Sequence, residues 1–68
     1  MKEDKQLICN KLLECLRVTR GLSDVVDLAY SAEKETVTAT FDNGHKKTVN
    51  VALDSGTAMI QDIIRKII

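Results

Sequence analysis

Residues 36–53 alternate polar and apolar side chains in two short runs, separated by Asp42-Asn43-Gly44, and this pattern restricts the chain more than any other feature. Thr36-Val37-Thr38-Ala39-Thr40-Phe41 and Lys47-Thr48-Val49-Asn50-Val51-Ala52-Leu53 each carry the period of two that marks a half-buried strand. An Asn-Gly pair invites a two-residue type I′ turn. That register sets Thr38 opposite Val49 and Val37 opposite Asn50, so the apolar rows of the two strands face opposite sides. A three-residue Asp42-Asn43-Gly44 loop, closed by a left-handed Gly44, instead pairs Val37 with Val49, Ala39 with Lys47 and Phe41 with His45. Turning Val49, Val51 and Leu53 to solvent forfeits roughly 5–9 kcal/mol at about 1.5–3 each. Strand-level preferences are worth about 1 kcal/mol. Burial decides, and the loop has three residues.

The rest of the chain supplies partners for that hairpin. Residues 3–20 read as a helix with Ile8, Leu12, Cys15 and Leu16 on one face and Cys9 and Leu13 widening it. Glu3 and Asp4 lie in its first turn and Arg17 and Arg20 in its last, which suits the helix dipole at both ends. Gly21 is a left-handed stop, and Leu22 folds back on the last turn. Leu7 and Val18 fall off the main stripe, on the side of Lys11 and Glu14. Residues 24–31 form a strand in which Val26, Leu28 and Tyr30 point to the core and Val25, Asp27, Ala29 and Ser31 point away. Ala32-Glu33-Lys34-Glu35 is a four-residue loop on a type I turn, with no special glycine. The hairpin strands span 35–41 and 45–53. Asp54 or Ser55 caps a helix over 55–67, whose apolar stripe holds Met59, Ile60, Ile63, Ile64, Ile67 and Ile68. The expected fold is α+β: a two-layer α-β-β-β-α domain over residues 1–68, with a three-stranded antiparallel sheet and both helices on one face.

At 68 residues the chain has room for one core only. A domain this small buries about 60% of the surface its unfolded chain exposes, so a partner subunit is a standing source of stability. Formal net charge is zero, which leaves no electrostatic footprint for nucleic acid or an anionic membrane. No apolar run approaches bilayer-spanning length, and the polar Met1-Lys2-Glu3-Asp4-Lys5-Gln6 start is not a signal peptide. A cytoplasmic protein without membrane partners is expected. Cys9 and Cys15 project roughly 120° apart and stand about 9 Å apart along a helix axis, so they cannot bridge one another. They read as small hydrophobes in a reducing compartment.

Candidate chemistry is sparse. Ser55-Gly56-Thr57 opens a helix but has Asp54 at its mouth and no P-loop pattern around it, so it reads as a cap. His45 is the only histidine and has no cysteine or carboxylate at metal-ligand spacing. No nucleophile, base and orienting group can be assembled, and neither an enzyme nor a cofactor is expected. Two surfaces remain. The outer sheet face should present Val25, Asp27, Ala29, Thr36, Thr38, Thr40, Thr48, Asn50 and Ala52, small and nearly uncharged residues that desolvate more readily than charged ones. The hairpin tip, His45-Lys46-Lys47, joined by Arg17 and Arg20, offers phosphate contacts, although hairpin-tip lysines also guard an edge strand against pairing.

The α-β-β-β-α order resembles the double-stranded RNA-binding domain across the whole chain. That family begins its second helix with a lysine-rich phosphate grip, whereas Asp54-Ser55-Gly56-Thr57-Ala58-Met59-Ile60-Gln61 has an acid and no base. Its proline–histidine loop has no counterpart in Ser31-Ala32-Glu33-Lys34. The resemblance implies a fold and not RNA binding. Phe41-Asp42-Asn43-Gly44-His45-Lys46-Lys47-Thr48-Val49-Asn50-Val51, followed by Asp54-Ser55-Gly56-Thr57-Ala58-Met59-Ile60, also resembles short uncharacterised proteins of Firmicutes and their prophages. This implies a bacterial cytoplasmic origin and an accessory role on a mobile element.

These readings converge on a small protein-interaction module whose partner is a second copy or another protein. Its expected contact surface is Val25, Ala29, Thr36, Thr38, Thr40, Thr48 and Asn50, together with the edge of the neighbouring first strand. The alternative is a weak nucleic-acid binder using His45, Lys46, Lys47, Arg17 and Arg20. Nucleic acid is the less favoured partner because Tyr30 and Phe41 are the only aromatics and both belong to the core, leaving no stacking platform.

Overall fold

A computed structural model describes residues 4–68, which form α1 (Lys5–Arg17), β1 (Val25–Ser31), β2 (Thr36–Phe41), β3 (Lys46–Asn50) and α2 (Gly56–Ile67). The three strands make one antiparallel sheet in the order β1-β2-β3. Cys9 and Leu16 of α1 and Met59, Ile63 and Ile67 of α2 share one core with Val25, Leu28, Val37, Ala39, Phe41 and Val51. Both helices therefore cover the same face of the sheet, and the fold is the expected α+β one. Lys5 Nζ at the start of α1 donates to the Val51 carbonyl at 2.9 Å, close to where α2 begins. At the other end, Lys47 Nζ donates to the Lys66 carbonyl at 3.2 Å. The two helices thus run in the same direction. Among the described residues, no helix is long and apolar enough to cross a membrane.

The second hairpin has the register that burial requires. Val37 pairs with Val49 and Ala39 with Lys47. The Phe41 amide donates to the His45 carbonyl at 2.8 Å, and the Gly44 amide donates back to the Phe41 carbonyl at 2.9 Å. Gly44 has φ +88°, the left-handed conformation the three-residue loop needs. Val51 is buried and Val49 packs against the core, while Thr48 and Asn50 are exposed.

The observed element boundaries differ from the expected ones for local reasons. The expected start of α1 at Glu3, with its first-turn acid, lies outside the described residues. Asp4 caps the helix, accepting from the Leu7 amide at 3.0 Å. The helix ends at Arg17 rather than residue 20, because Thr19 Oγ1 takes up the Cys15 carbonyl at 2.6 Å and the chain turns. Gly21, at φ +91°, serves that following turn, and Leu22 packs on the core. In the first hairpin loop, Glu35 rather than a glycine adopts φ +53°. Its carbonyl accepts from the Val51 amide at 3.0 Å, so the left-handed turn ties the loop to the end of β3.

β1 departs most. Val25 pairs with Phe41 and Asp27 with Thr40, so Val26 is an extra residue in a β-bulge. Val25 is 0% exposed and Val26 is 37% exposed, the reverse of strict alternation. Either valine can fill the core. The bulge buries Val25 against Phe41 while Leu28 and Tyr30 keep their inward positions and Asp27 stays in solvent.

β3 also ends early, at Asn50 rather than residue 53. Asn50 Oδ1 accepts from the Ala52 amide at 2.9 Å, and the Asp54 amide donates to the Val51 carbonyl at 3.1 Å. This turn throws Leu53 fully into solvent, 99% exposed, so the alternation that placed Leu53 in the core stops at Val51. Ser55 then caps α2, accepting from the Ala58 amide at 3.4 Å. Ile60 and Ile68 stay largely outside the core that Met59, Ile63 and Ile67 join.

Candidate functional site

The outer face of the sheet is a regular array, because antiparallel pairing aligns residues of equal orientation across all three strands. One row is Asp27–Thr40–Lys46, the next Ala29–Thr38–Thr48, and the third Ser31–Thr36–Asn50. Thr38 Oγ1 and Thr48 Oγ1 lie 3.4 Å apart, so one of the two central hydroxyls can donate weakly to the other across β2 and β3. The array has no aromatic residue and one charge of each sign, both in the same row. Every β3 member is exposed, and the β2 threonines are half-buried only by their flanking strands. Small uncharged side chains cost less to desolvate than charged ones, and the Thr36 and Thr40 hydroxyls, which make no such pair among the described residues, would each take a hydrogen bond from a partner.

Six of the seven residues expected on this face are there: Ala29, Thr36, Thr38, Thr40, Thr48 and Asn50. Val25 is not. The bulge sends it into the core, and it belongs to no exposed surface. Ala52 has left the face with the turn that ends β3. Lys46 joins it, a position implied by the Ala39–Lys47 pairing, since the neighbour of an inward residue must point outward.

The first-strand edge, expected to extend this surface, is occupied at its middle by a side chain of α1. Thr36, Thr38 and Thr40 alternate with the residues of β2 that bond β3, so Asp27, Ala29 and Ser31 bond β2 while Leu28 and Tyr30 turn their backbone groups outward. Gln6 of α1 meets two of these four groups, the Tyr30 amide and the Leu28 carbonyl. Its Oε1 accepts from the Tyr30 amide at 2.9 Å, and its Nε2 donates to the Leu28 carbonyl at 3.4 Å and to Asn10 Oδ1 at 2.8 Å. The side-chain amide thus stands where a neighbouring strand would bond. Nothing in the helical pattern distinguishes Gln6 as an edge cap. The signal lies in three-dimensional placement alone.

The alternative phosphate cluster is divided by the same alternation. Lys46 points to the outer face beside Thr40, and Lys47 points to the helix side. Lys47 is already engaged, with Nζ on the Lys66 carbonyl and 5.5 Å above the Phe41 ring. His45 is exposed at the tip, its backbone amide held by Asn43 Oδ1 at 3.0 Å. Arg17 ends α1 and Arg20 sits in the turn beyond it, both exposed.

Among the described residues, the titratable groups elsewhere stand as follows. Burial, helped by the nearby Asp27 charge, pushes the Cys9 thiol up to about 11, so at neutral pH it is protonated and unreactive. Cys15 is free and exposed. Asp54 is held above its ordinary value by a hydrogen bond with Asp62, then by burial and by the Asp62 charge, with Lys5 opposing. Asp54 Oδ2 is sealed from solvent without a donor, which a proton shared with Asp62 would satisfy. Among the described residues, no three side chains of histidine, cysteine, aspartate or glutamate are grouped to hold a metal ion. Compared with known proteins, the chain matches no family model, no curated protein and no solved structure.

Proposed function

We propose that this chain is a small, non-enzymatic protein-interaction module that binds through the outer face of its sheet. The observation that carries this reading is the three-by-three array itself. It is continuous, nearly uncharged and covered by neither helix, and one of its central hydroxyls can donate weakly to the other. Phosphate binding by the hairpin tip has less support, since Lys46 and Lys47 lie on opposite faces and Lys47 is engaged.

The test replaces Thr38 and Thr48 together by lysine. Both side chains point away from the core, so the fold should survive, as circular dichroism can check. Cross-linking in lysate of the source cells, with and without nuclease, then compares the complexes formed by the two proteins. Complexes lost in the double variant and indifferent to nuclease support the reading. Complexes retained by the double variant, or abolished by nuclease, overturn it.

A further inference from the structure

The array carries its two charges at opposite ends of one row. Asp27 on β1 and Lys46 on β3 flank Thr40 on the central strand, so they stand equally far from the axis of β2. Rotating a second copy by a half-turn about a line along β2 turns its outer face onto the first. It exchanges left for right but not top for bottom. Asp27 then faces the partner copy's lysine and Lys46 faces the partner copy's aspartate, giving two symmetric ion pairs. A half-turn about the perpendicular in-plane line instead places Asp27 over serine and Lys46 over asparagine, with both charges unmatched. Charge thus selects one of two otherwise comparable arrangements.

Resting on the reading of this face as a contact surface, we infer that its partner is a second copy of the chain, packed sheet to sheet about a two-fold axis along β2, with Asp27 and Lys46 pairing reciprocally. The contact is isologous, as closed dimers require. Thr38 lies at the centre of the array and meets its own counterpart across the axis. Aligned sheets cross at about 30°, which displaces the charged side chains by about 4 Å, within the reach of a lysine. Edge-to-edge pairing through the middle of β1 competes with Gln6, which already holds the Tyr30 amide and the Leu28 carbonyl. Strand spacing and rise give the patch a projected area of roughly 250 Å², well under the ~800 Å² per partner of a standard interface. The dimer is therefore weak and exchanging, populated from tens to hundreds of micromolar.

Sedimentation equilibrium over that range tests it with four proteins: the unmodified chain, Asp27→Lys, Lys46→Asp and the double swap. Each single change sets like charges face to face and should weaken the dimer about tenfold. The double swap should return it to within about threefold of the unmodified chain. Raised salt should weaken the unmodified dimer and strengthen the single variants. A dimer insensitive to both charges overturns this geometry. If Thr38→Lys with Thr48→Lys still breaks such a dimer, the contact face stands and only the two-fold fails. A chain that stays monomeric to near-millimolar concentration overturns the second copy as partner, and the cross-linking comparison then decides the face on its own.

Discussion

The two faces of the sheet use alternate residues of the same strands and obey different rules. The inner face, with Val25, Leu28, Val37, Ala39 and Phe41, is buried under both helices, and its composition is dictated by volume and apolar area. The outer face, with Asp27, Ala29, Thr36, Thr38, Thr40, Lys46, Thr48 and Asn50, is covered by neither helix among the described residues. Nothing about packing within this chain requires four threonines there. The inner face explains stability. The outer one is the proposed contact surface.

The bulge gives the sharpest way to break that comparison, because it assigns adjacent valines to opposite environments. Val25→Lys places an unpaired charge in the core and should cost more than about 4 kcal/mol. A core of this size supplies only about 3–5 kcal/mol in total, so that variant should be unfolded by circular dichroism. Val26→Lys should change stability by no more than about 0.5 kcal/mol in urea titration. Equal effects at the two positions would remove the bulge from the account.

Smaller effects sharpen the same contrast. A Cβ on Gly44 meets nothing within 4 Å, so Gly44→Ala has only the left-handed backbone at φ +88° to oppose it. Its cost should be about 1–2 kcal/mol in chemical denaturation, and Gly44→Asn should cost less because asparagine tolerates that conformation. Gln6→Ala should cost about 1 kcal/mol and speed hydrogen exchange at the Tyr30 amide, its hydrogen-bond partner. It should also leave β1 open to edge pairing.

The Asp54–Asp62 pair gives the smallest effect, with a defined sign. Asp54 in the folded chain binds its proton more tightly than at the ordinary value of 3.8, so folding is favoured by protonation. Its contribution is fully present below 3.8 and is lost as pH rises through the raised value. Asp62→Asn supplies an amide donor to the Asp54 carboxylate without a second negative charge. Its melting temperature should exceed that of the unmodified chain at neutral pH, and the difference should vanish in acid. A difference independent of pH would show that the two carboxyls do not share a proton.

How much of this was legible in the sequence follows from where the information resides. The second hairpin could be read because parity errors there would expose Val49 and Val51 together, a penalty too large for turn preference to reverse. The first strand could not, because Val25-Val26 offers two equivalent ways to fill one core site and only pairing with Phe41 and Thr40 separates them. Leu53 was misplaced for the converse reason. Alternation continues through it in sequence, while the Asn50 side chain captures the Ala52 amide and turns the chain first. The threonines of the outer face were readable from alternation alone, whereas Val25 was lost to the bulge and Ala52 to the turn that ends β3. The Gln6 edge cap was not, since its partners Leu28 and Tyr30 are more than twenty residues away.

The most direct test of the outer face as a contact surface is a backbone-amide NMR dilution series, from near-millimolar to tens of micromolar, on the unmodified chain. Concentration-dependent shifts are expected at Asp27, Ala29, Thr36, Thr38, Thr40, Lys46 and Thr48. The solvent side of α1, where Leu7 is 51% and Val18 87% exposed, should stay unmoved. Shifts gathered on Leu7, Lys11 and Val18, with the sheet amides stationary, would contradict it.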